Sequence, residues 1–233
     1  MGDVARRRII VFAALGIGAY LLALIVTLPA SAVLKNRPWR TGVAGTVWNG
    51  EVGVAGGAKF EWKMAPLRSL ISLAYAADWK ATGPDTDLGG RVLAHLGGRT
   101  VLDKVSGSAN GTLLQALQPN LPFTCDLVMQ VEMERIALGG GTRMLSGTAT
   151  TDPGSCRPKN GGAASALPAL ILTAEHVGNR TLIRIAPMAQ RRRTLVTLEL
   201  AESGTVDISV TPEGATMMPF LGLPAGARIQ GEM

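Results

Sequence analysis

The feature that most constrains this chain is a long uncharged segment near its N-terminus. Residues Ile9–Leu28 read IIVFAALGIGAYLLALIVTL, twenty residues without a charged side chain. At about 1.5 Å per residue, a helix of this length crosses the roughly 30 Å hydrocarbon core of a bilayer. Twelve of the twenty are Leu, Ile, Val or Phe, which favour insertion. The segment predicts one transmembrane helix at 9–28, preceded by a short head at 1–8.

Most of the net charge lies beside this segment. The sequence has 23 Lys and Arg against 17 Asp and Glu, and residues 1–40 hold six of these cations and one acid. The positive-inside rule places Arg6, Arg7 and Arg8 in the cytoplasm, although Lys35, Arg37 and Arg40 on the other side weaken that bias. The rest of the chain is close to neutral, so the basic composition indicates membrane topology, and no nucleic-acid partner is expected.

A cleaved signal peptide is a second interpretation of the same segment. Ala30-Ser31-Ala32 matches the small-x-small pattern of a cleavage site. The apolar region of a signal peptide usually has about 7–15 residues, so the longer run here favours a retained anchor. In both interpretations the domain at 43–233 is exported, and in the retained-anchor interpretation a periplasmic linker at 29–42 precedes it.

Beyond the linker, the sequence alternates as half-buried strands do. Between residues 127 and 134 every odd position is Leu, Met or Val, and three of the four even positions are Gln or Glu. Helical spacing of apolar residues predicts two short helices, at Pro66–Ala76 and Thr112–Leu117. The predicted fold class is mainly β, with one N-terminal transmembrane helix followed by a curved, mostly antiparallel sheet. Further strands are predicted at Val43–Val54, Ala58–Met64, Thr181–Ile185, Thr194–Leu200 and Thr205–Thr211.

A short glycine pattern recurs along the predicted strands. It consists of an apolar residue, a small or polar residue, Gly and a polar residue. Glycine inside a strand marks a bulge, a bend or a close backbone approach, so the pattern suits a curved sheet. A Gly-rich chain also produces such a pattern by chance. The four copies are Val43–Thr46, Val105–Ser108, Leu145–Thr148 and Ile229–Glu232.

The two cysteines, Cys125 and Cys156, both lie beyond the membrane segment. In an oxidising compartment an even pair is expected to form a disulfide, and two unpaired thiols are the alternative. Cys156 falls in residues 154–166, GSCRPKNGGAASA, whose composition predicts a long surface loop or a flexible connection. No metal site is expected, because neither His95 nor His176 lies at ligand spacing from a cysteine.

No catalytic constellation is visible in the sequence. It contains no G-x-S-x-G, H-E-x-x-H or P-loop motif, and the pair Gly16 and Gly18 lies inside the membrane segment. A cysteine nucleophile would need a free thiol, which the expected disulfide removes. We therefore expect no enzymatic activity, no catalytic residues and no cofactor.

Two sets of motifs occur together along the chain. The first set joins Leu28–Leu34 at the membrane exit to Val43–Gly50, which contains G-T-x-W-x-G, and to Phe60–Pro66, which contains W-x-x-x-P. The second is the Cys125 and Cys156 pair with the glycine pattern at 145–148 between them. Taken together, they resemble type II secretion system protein N, the general secretion pathway protein N. The likeness covers most of the chain loosely, and residues 85–112 match little.

The resemblance implies a non-enzymatic inner-membrane component of the machine that exports folded periplasmic proteins across the outer membrane of a Gram-negative bacterium. Its N-terminus would be cytoplasmic and its bulk periplasmic. Its expected partners are other inner-membrane components of the type II secretion system and, through the N-terminal helix, membrane lipid. Trp48 and Trp62 are expected to be structural anchors in a core poor in aromatic residues.

A function of another class also fits the sequence. A curved, Gly-rich sheet with one apolar face can form a groove for acyl chains, as in a periplasmic lipid-handling protein. An open and contiguous apolar face well above a few hundred Å² would distinguish this function from the secretion role.

Overall fold

The structure is a computed structural model that describes residues 2–34, 40–117 and 120–232. Its helices are α1 (Gly2–Val26), α2 (Ala30–Val33), α3 (Pro66–Ser72), α4 (Gly111–Leu117) and α5 (Pro212–Met217), with 3-10 turns at Met188–Gln190 and Pro219–Leu221. Its strands are β1 (Arg40–Gly45), β2 (Asn49–Val54), β3 (Ala58–Met64), β4 (Tyr75–Gly83), β5 (Thr86–Ala94), β6 (Thr100–Asn110), β7 (Phe123–Asp126), β8 (Val128–Leu138), β9 (Met144–Thr151), β10 (Gly154–Pro158), β11 (Ser165–Leu167), β12 (Leu170–Val177), β13 (Arg180–Pro187), β14 (Val196–Ala201), β15 (Thr205–Val210) and β16 (Arg228–Glu232).

Helix α1 includes most of the predicted membrane segment and extends into the predicted head. Its window Arg7–Val26 is long and apolar enough to span a membrane, and none of that window is buried against the rest of the chain. The helix ends at Val26, shortly before Pro29, which cannot continue the hydrogen-bonding pattern of a helix.

Thirteen strands form one antiparallel sheet, in the order β1–β6, β8, β9 and β12–β16. Because neighbouring strands are antiparallel, their connections alternate between two rims of the sheet. We call one of them the anchor rim: it carries the connections β1–β2, β3–β4, β5–β6, β8–β9, β12–β13 and β14–β15. The opposite one is the distal rim. This architecture confirms the predicted fold class.

A small sheet of β11, β10 and β7 covers the C-terminal strands of the large sheet. Between the two lies the main apolar core, which includes Cys156, Leu195 and Phe220. The prediction of a long surface loop at 154–166 is therefore wrong at both ends, since β10 pairs with β7 on one side and β11 on the other. The strand partners are distant in sequence, and the Gly- and Pro-rich composition hides them.

Two glycines of the recurring pattern sit where neighbouring backbones come close. Gly107 has φ +129° and Gly147 has φ +142°. A Cβ on Gly147 would lie 2.5 Å from Glu132 O, and one on Gly107 would strike the carbonyl of Asp87. Register shifts occur nearby, between Gly89 and Arg91 and between Met133 and Arg135. Both glycines thus allow the close backbone approaches and bulges expected of a curved sheet. Gly231, in the fourth copy of the pattern, has open space around it instead.

Several predicted boundaries change in the structure. The single stretch predicted at 43–54 is divided between β1 and β2 by a turn, and β3 has the predicted bounds of Ala58–Met64. Helix α3 ends at Ser72 and not at Ala76, because Leu73 adopts a left-handed conformation with φ 48° and β4 begins at Tyr75. Pairing of β4 with β3 and β5 outweighs the helical spacing there.

Candidate functional site

The end of α1 is fastened to the anchor rim by the β1–β2 turn. The indole Nε1 of Trp48 donates at 2.9 Å to Ile25 O, a carbonyl in the last turn of the helix that also accepts from the backbone N–H of Leu28 at 3.3 Å. The backbone N–H of Val47 donates to Leu28 O at 3.0 Å, and Thr46 forms a bridge with Pro29. The G-T-x-W-x-G element is therefore the junction between the helix and the sheet.

The carbonyl of Val47 connects this turn to the next two strands. It accepts hydrogen bonds from Trp62 Nε1 at 3.1 Å and from the Tyr75 hydroxyl at 2.6 Å. Burial raises the pKa of the Tyr75 hydroxyl above its ordinary value, which keeps that donor protonated. Gly50 is register partner of Trp62, and a Cβ on it would collide with the indole ring.

The sequence-predicted anchors Trp48 and Trp62 thus meet at one place. Both are half-buried, and neither belongs to the three buried clusters of the described residues. Each of them holds its neighbours through an indole hydrogen bond, and the Trp48 ring lies 6.4 Å from that of Tyr75. Their role is to hold the junction at the end of the sheet.

An apolar groove of about 660 Å³ begins beside this junction. It runs over the N-terminal strands from α2, which contributes Ala30 and Val33, to Leu113 of α4. Its volume is in the roughly 300–1,000 Å³ range of ligand pockets. Its lining residues are Ala30, Val33, Leu34, Val47, Val54, Ala58, Lys59, Phe60, Trp62, Tyr75, Ala77, Trp79, Ala81, Leu88, Val92, Ala94, Leu102 and Leu113.

Among the lining residues that the structure describes, Lys59 is the one with a charge, and that charge is held on the outer face. Its Nζ lies 2.5 Å from Glu51 and 2.8 Å from Glu61. The hydrogen bond from Lys59 holds the pKa of Glu61 below its ordinary value, and the two carboxylates raise the pKa of Lys59. The groove is therefore suited to an uncharged hydrocarbon chain.

The groove is open because the small sheet does not extend over the N-terminal strands. The floor is closed by Phe60 and Trp79, whose rings stack with centroids 5.4 Å apart. Trp79, Leu88 and Leu102 also pack against the central buried cluster around Val105. The apolar face is therefore continuous from the groove to the covered half of the sheet.

The opposite face of the same strands carries alternating charges. Arg68 pairs with Asp78 at 2.6 Å, and Lys80 pairs with Asp87 at 3.0 Å. Exposed pairs of this kind have little energetic weight and define no binding chemistry. Across residues 2–34, 40–117 and 120–232, no group of three or more His, Cys, Asp or Glu could hold a metal ion.

The disulfide lies away from the junction, in the small sheet. Cys125 of β7 and Cys156 of β10 are register partners with Cα atoms 4.1 Å apart, and their sulfur atoms are bonded. The bond joins two neighbouring strands of the small sheet, and the buried Cys156 belongs to the main core between that sheet and the large one. It has no part in the groove.

Comparison of the chain with protein families, with curated proteins and with solved structures gave no match. The sequence analysis gave an apolar groove only as part of the alternative function, and among the lining residues it named only Trp62 as a site residue. A signal was present in the small residues Ala58, Ala77, Ala81 and Ala94, which leave space on the apolar face of adjacent strands.

Proposed function

We propose that the protein is a non-enzymatic, single-pass inner-membrane component of a type II secretion system, with a cytoplasmic N-terminus and a periplasmic sheet domain. The observation that carries the proposal is the junction. The two elements on which the resemblance rests, G-T-x-W-x-G and W-x-x-x-P, meet there and join α1 to the sheet through Trp48 and Trp62. These two elements therefore suit a secretion component whose exported domain is held at a defined place on the membrane.

The open sheet supplies a means of assembly with other components. Within the described residues, β1 and β16 each pair with a single neighbouring strand, so both edges offer backbone groups to a partner strand. Strand β1 lies next to the junction and close to the membrane. We propose that this edge contacts another inner-membrane secretion component.

The test combines gene deletion with crosslinking in the native membrane. A photoreactive amino acid at Ala44, at the exposed end of β1 beside the junction, is compared with one at Asp85, in a turn of the distal rim. We expect deletion to reduce export of the system's substrates, and Ala44 but not Asp85 to crosslink to a secretion component. Normal export together with no crosslink from either position would refute the proposal.

The groove favours a second candidate function, the holding of a lipid acyl chain. A chain that leaves the bilayer for an apolar groove keeps its hydrocarbon away from water, so the exchange costs little, whereas transfer through water costs about 0.8 kcal/mol per CH₂. Tyr75 and Ala94 place the mouth of the groove at the anchor rim, beside the membrane exit. A lipid could therefore enter without crossing water.

This second function is tested by lipid analysis of the purified full chain. Ala94→Trp should obstruct the mouth of the groove, and Ala44→Trp makes the same change on the exposed outer face. We expect mass spectrometry to find lipid retained by the wild type and by Ala44→Trp, and reduced with Ala94→Trp. Equal retention in all three proteins would exclude the groove as the binding place.

A further inference from the structure

Helix α3 exposes an apolar face on the anchor rim. Leu67, Leu70 and Ile71, at helical spacing, are 76 %, 73 % and 83 % exposed, and the following Leu73 is 82 % exposed. None of the seven residues of α3 is buried. Such a concentration of exposed large apolar side chains on one short helix is unlike the single scattered apolar residues of an ordinary protein surface.

The polar side chains of α3 face the protein instead. Arg68 pairs with Asp78 of β4 at 2.6 Å, and Ser69 Oγ accepts from the backbone N–H of Ala76 at 2.9 Å. The amphipathic order of a water-soluble surface helix is therefore reversed: polar groups contact the sheet and apolar groups point away from it. The outward face of α3 is therefore suited to apolar surroundings.

Exposed apolar residues elsewhere follow the same rim. Leu96 is fully exposed in the next turn of this rim, between β5 and β6, and Leu138 and Val177 also lie beside turns of this rim. Among the large exposed apolar residues that the structure describes outside α1, only Ile229, on the edge strand β16, lies away from this rim and the junction. The apolar surface is therefore concentrated on the rim to which α1 is fastened.

We propose that α3 and the β5–β6 turn enter the interfacial layer of the same bilayer that α1 crosses, as a second membrane contact. The inference rests on the anchor role of α1 in the proposed function. The position of α3 supports the bilayer as its contact, because α3 follows the strand next to the junction at which α1 ends. No acidic residue lies on α3, so no charge opposes insertion beside anionic lipid.

This second contact would orient the domain on the membrane. A single helix leaves the domain free to tilt relative to the membrane plane, and a second contact displaced from that helix restricts the tilt. Leu96 is two residues beyond Ala94, which lines the mouth of the groove. Insertion of α3 and the β5–β6 turn would hold that mouth against the lipid.

The experiment uses the full chain in liposomes of phosphatidylethanolamine and phosphatidylglycerol, with no other protein present. The native cysteines are bonded to each other, so an introduced cysteine is the one thiol available to an environment-sensitive fluorophore. The labelled variants are Leu70→Cys and Leu96→Cys. Ala55→Cys, in an exposed turn of the distal rim, is the matched control, and Ile17→Cys reports on α1.

We expect the labels at positions 70 and 96 to be quenched by lipids that carry a shallow spin label and to be protected from aqueous iodide, whereas position 55 shows the reverse. Equal iodide quenching at positions 70, 96 and 55 would overturn the proposal. If the label at position 70 were protected from iodide only in native membranes that contain secretion components, the proposed lipid contact would be overturned in favour of a protein contact.

The label at position 17 separates this proposal from the anchor on which it rests. Deep quenching at position 17 with full iodide access at position 70 would leave the anchor intact and remove the second contact. Absence of deep quenching at position 17 would count against the anchor itself. Circular dichroism verifies that each labelled protein is folded, and Leu67→Cys replaces any variant at position 70 that is not.

Discussion

The carbonyl of Val47 is shared by two donors, and a double-mutant cycle can measure what that sharing contributes to the junction. Trp62→Phe removes one donor and Tyr75→Phe the other. Each single change should cost about 0.5–1.5 kcal/mol for the lost hydrogen bond, in addition to the lost contacts of the indole at Trp62. Either remaining donor still satisfies the carbonyl.

The double variant leaves the carbonyl without either donor in a partly buried place. An unsatisfied group of this kind costs about 1–3 kcal/mol, so the double variant should lose more stability than the two single losses combined, by about 1 kcal/mol. Unfolding of the full chain by guanidinium in detergent micelles, followed by circular dichroism of the strands, measures the four free energies of the cycle.

Trp79→Phe is the matched control for the loss of an indole. Trp79 also lines the groove, but its buried Nε1 has no hydrogen-bond partner in the described structure. The change at Trp79 should therefore cost less than that at Trp62, and it should be additive with Tyr75→Phe. Additivity of Trp62→Phe with Tyr75→Phe would refute the shared-acceptor reasoning.

Three further predictions concern stability. Reduction of the Cys125–Cys156 bond, whose sequence separation is 31, should lower the free energy of unfolding by about 4 kcal/mol, measured by denaturation with and without reductant. Gly147→Ala should cost about 1–3 kcal/mol because its φ is +142°, and Gly231→Ala, with no atom near its Cβ, should be almost neutral by the same assay. Equal effects of the two glycine changes would contradict the role given to the bulges. Burial raises the pKa of Tyr75, so the unfolded chain loses this proton at lower pH than the folded one; stability should fall as the pH rises above about 10, less steeply in Tyr75→Phe, in a denaturation series against pH.

The local features of the fold could be predicted because their causes are local. The length and composition of residues 9–28 are sufficient for a helix that can span a membrane, since a bilayer demands internal hydrogen bonding and an apolar surface. Alternation predicted the strand at 127–134, and turn residues on either side predicted β3 at Ala58–Met64. The fold class follows from many such strands.

The sequence by itself thus determined the apolar helix, the strand-rich class and the presence of one cysteine pair on the far side of that helix. Tertiary structure alone decided which strands pair, and so it ended α3 at Ser72 and placed Cys156 in a strand. It also left the N-terminal strands uncovered, which opens the groove, and it turned the apolar face of α3 outward. The physical reason is that pairing and coverage join residues far apart in the chain, whereas hydrophobic periodicity reports only the surroundings of neighbouring residues.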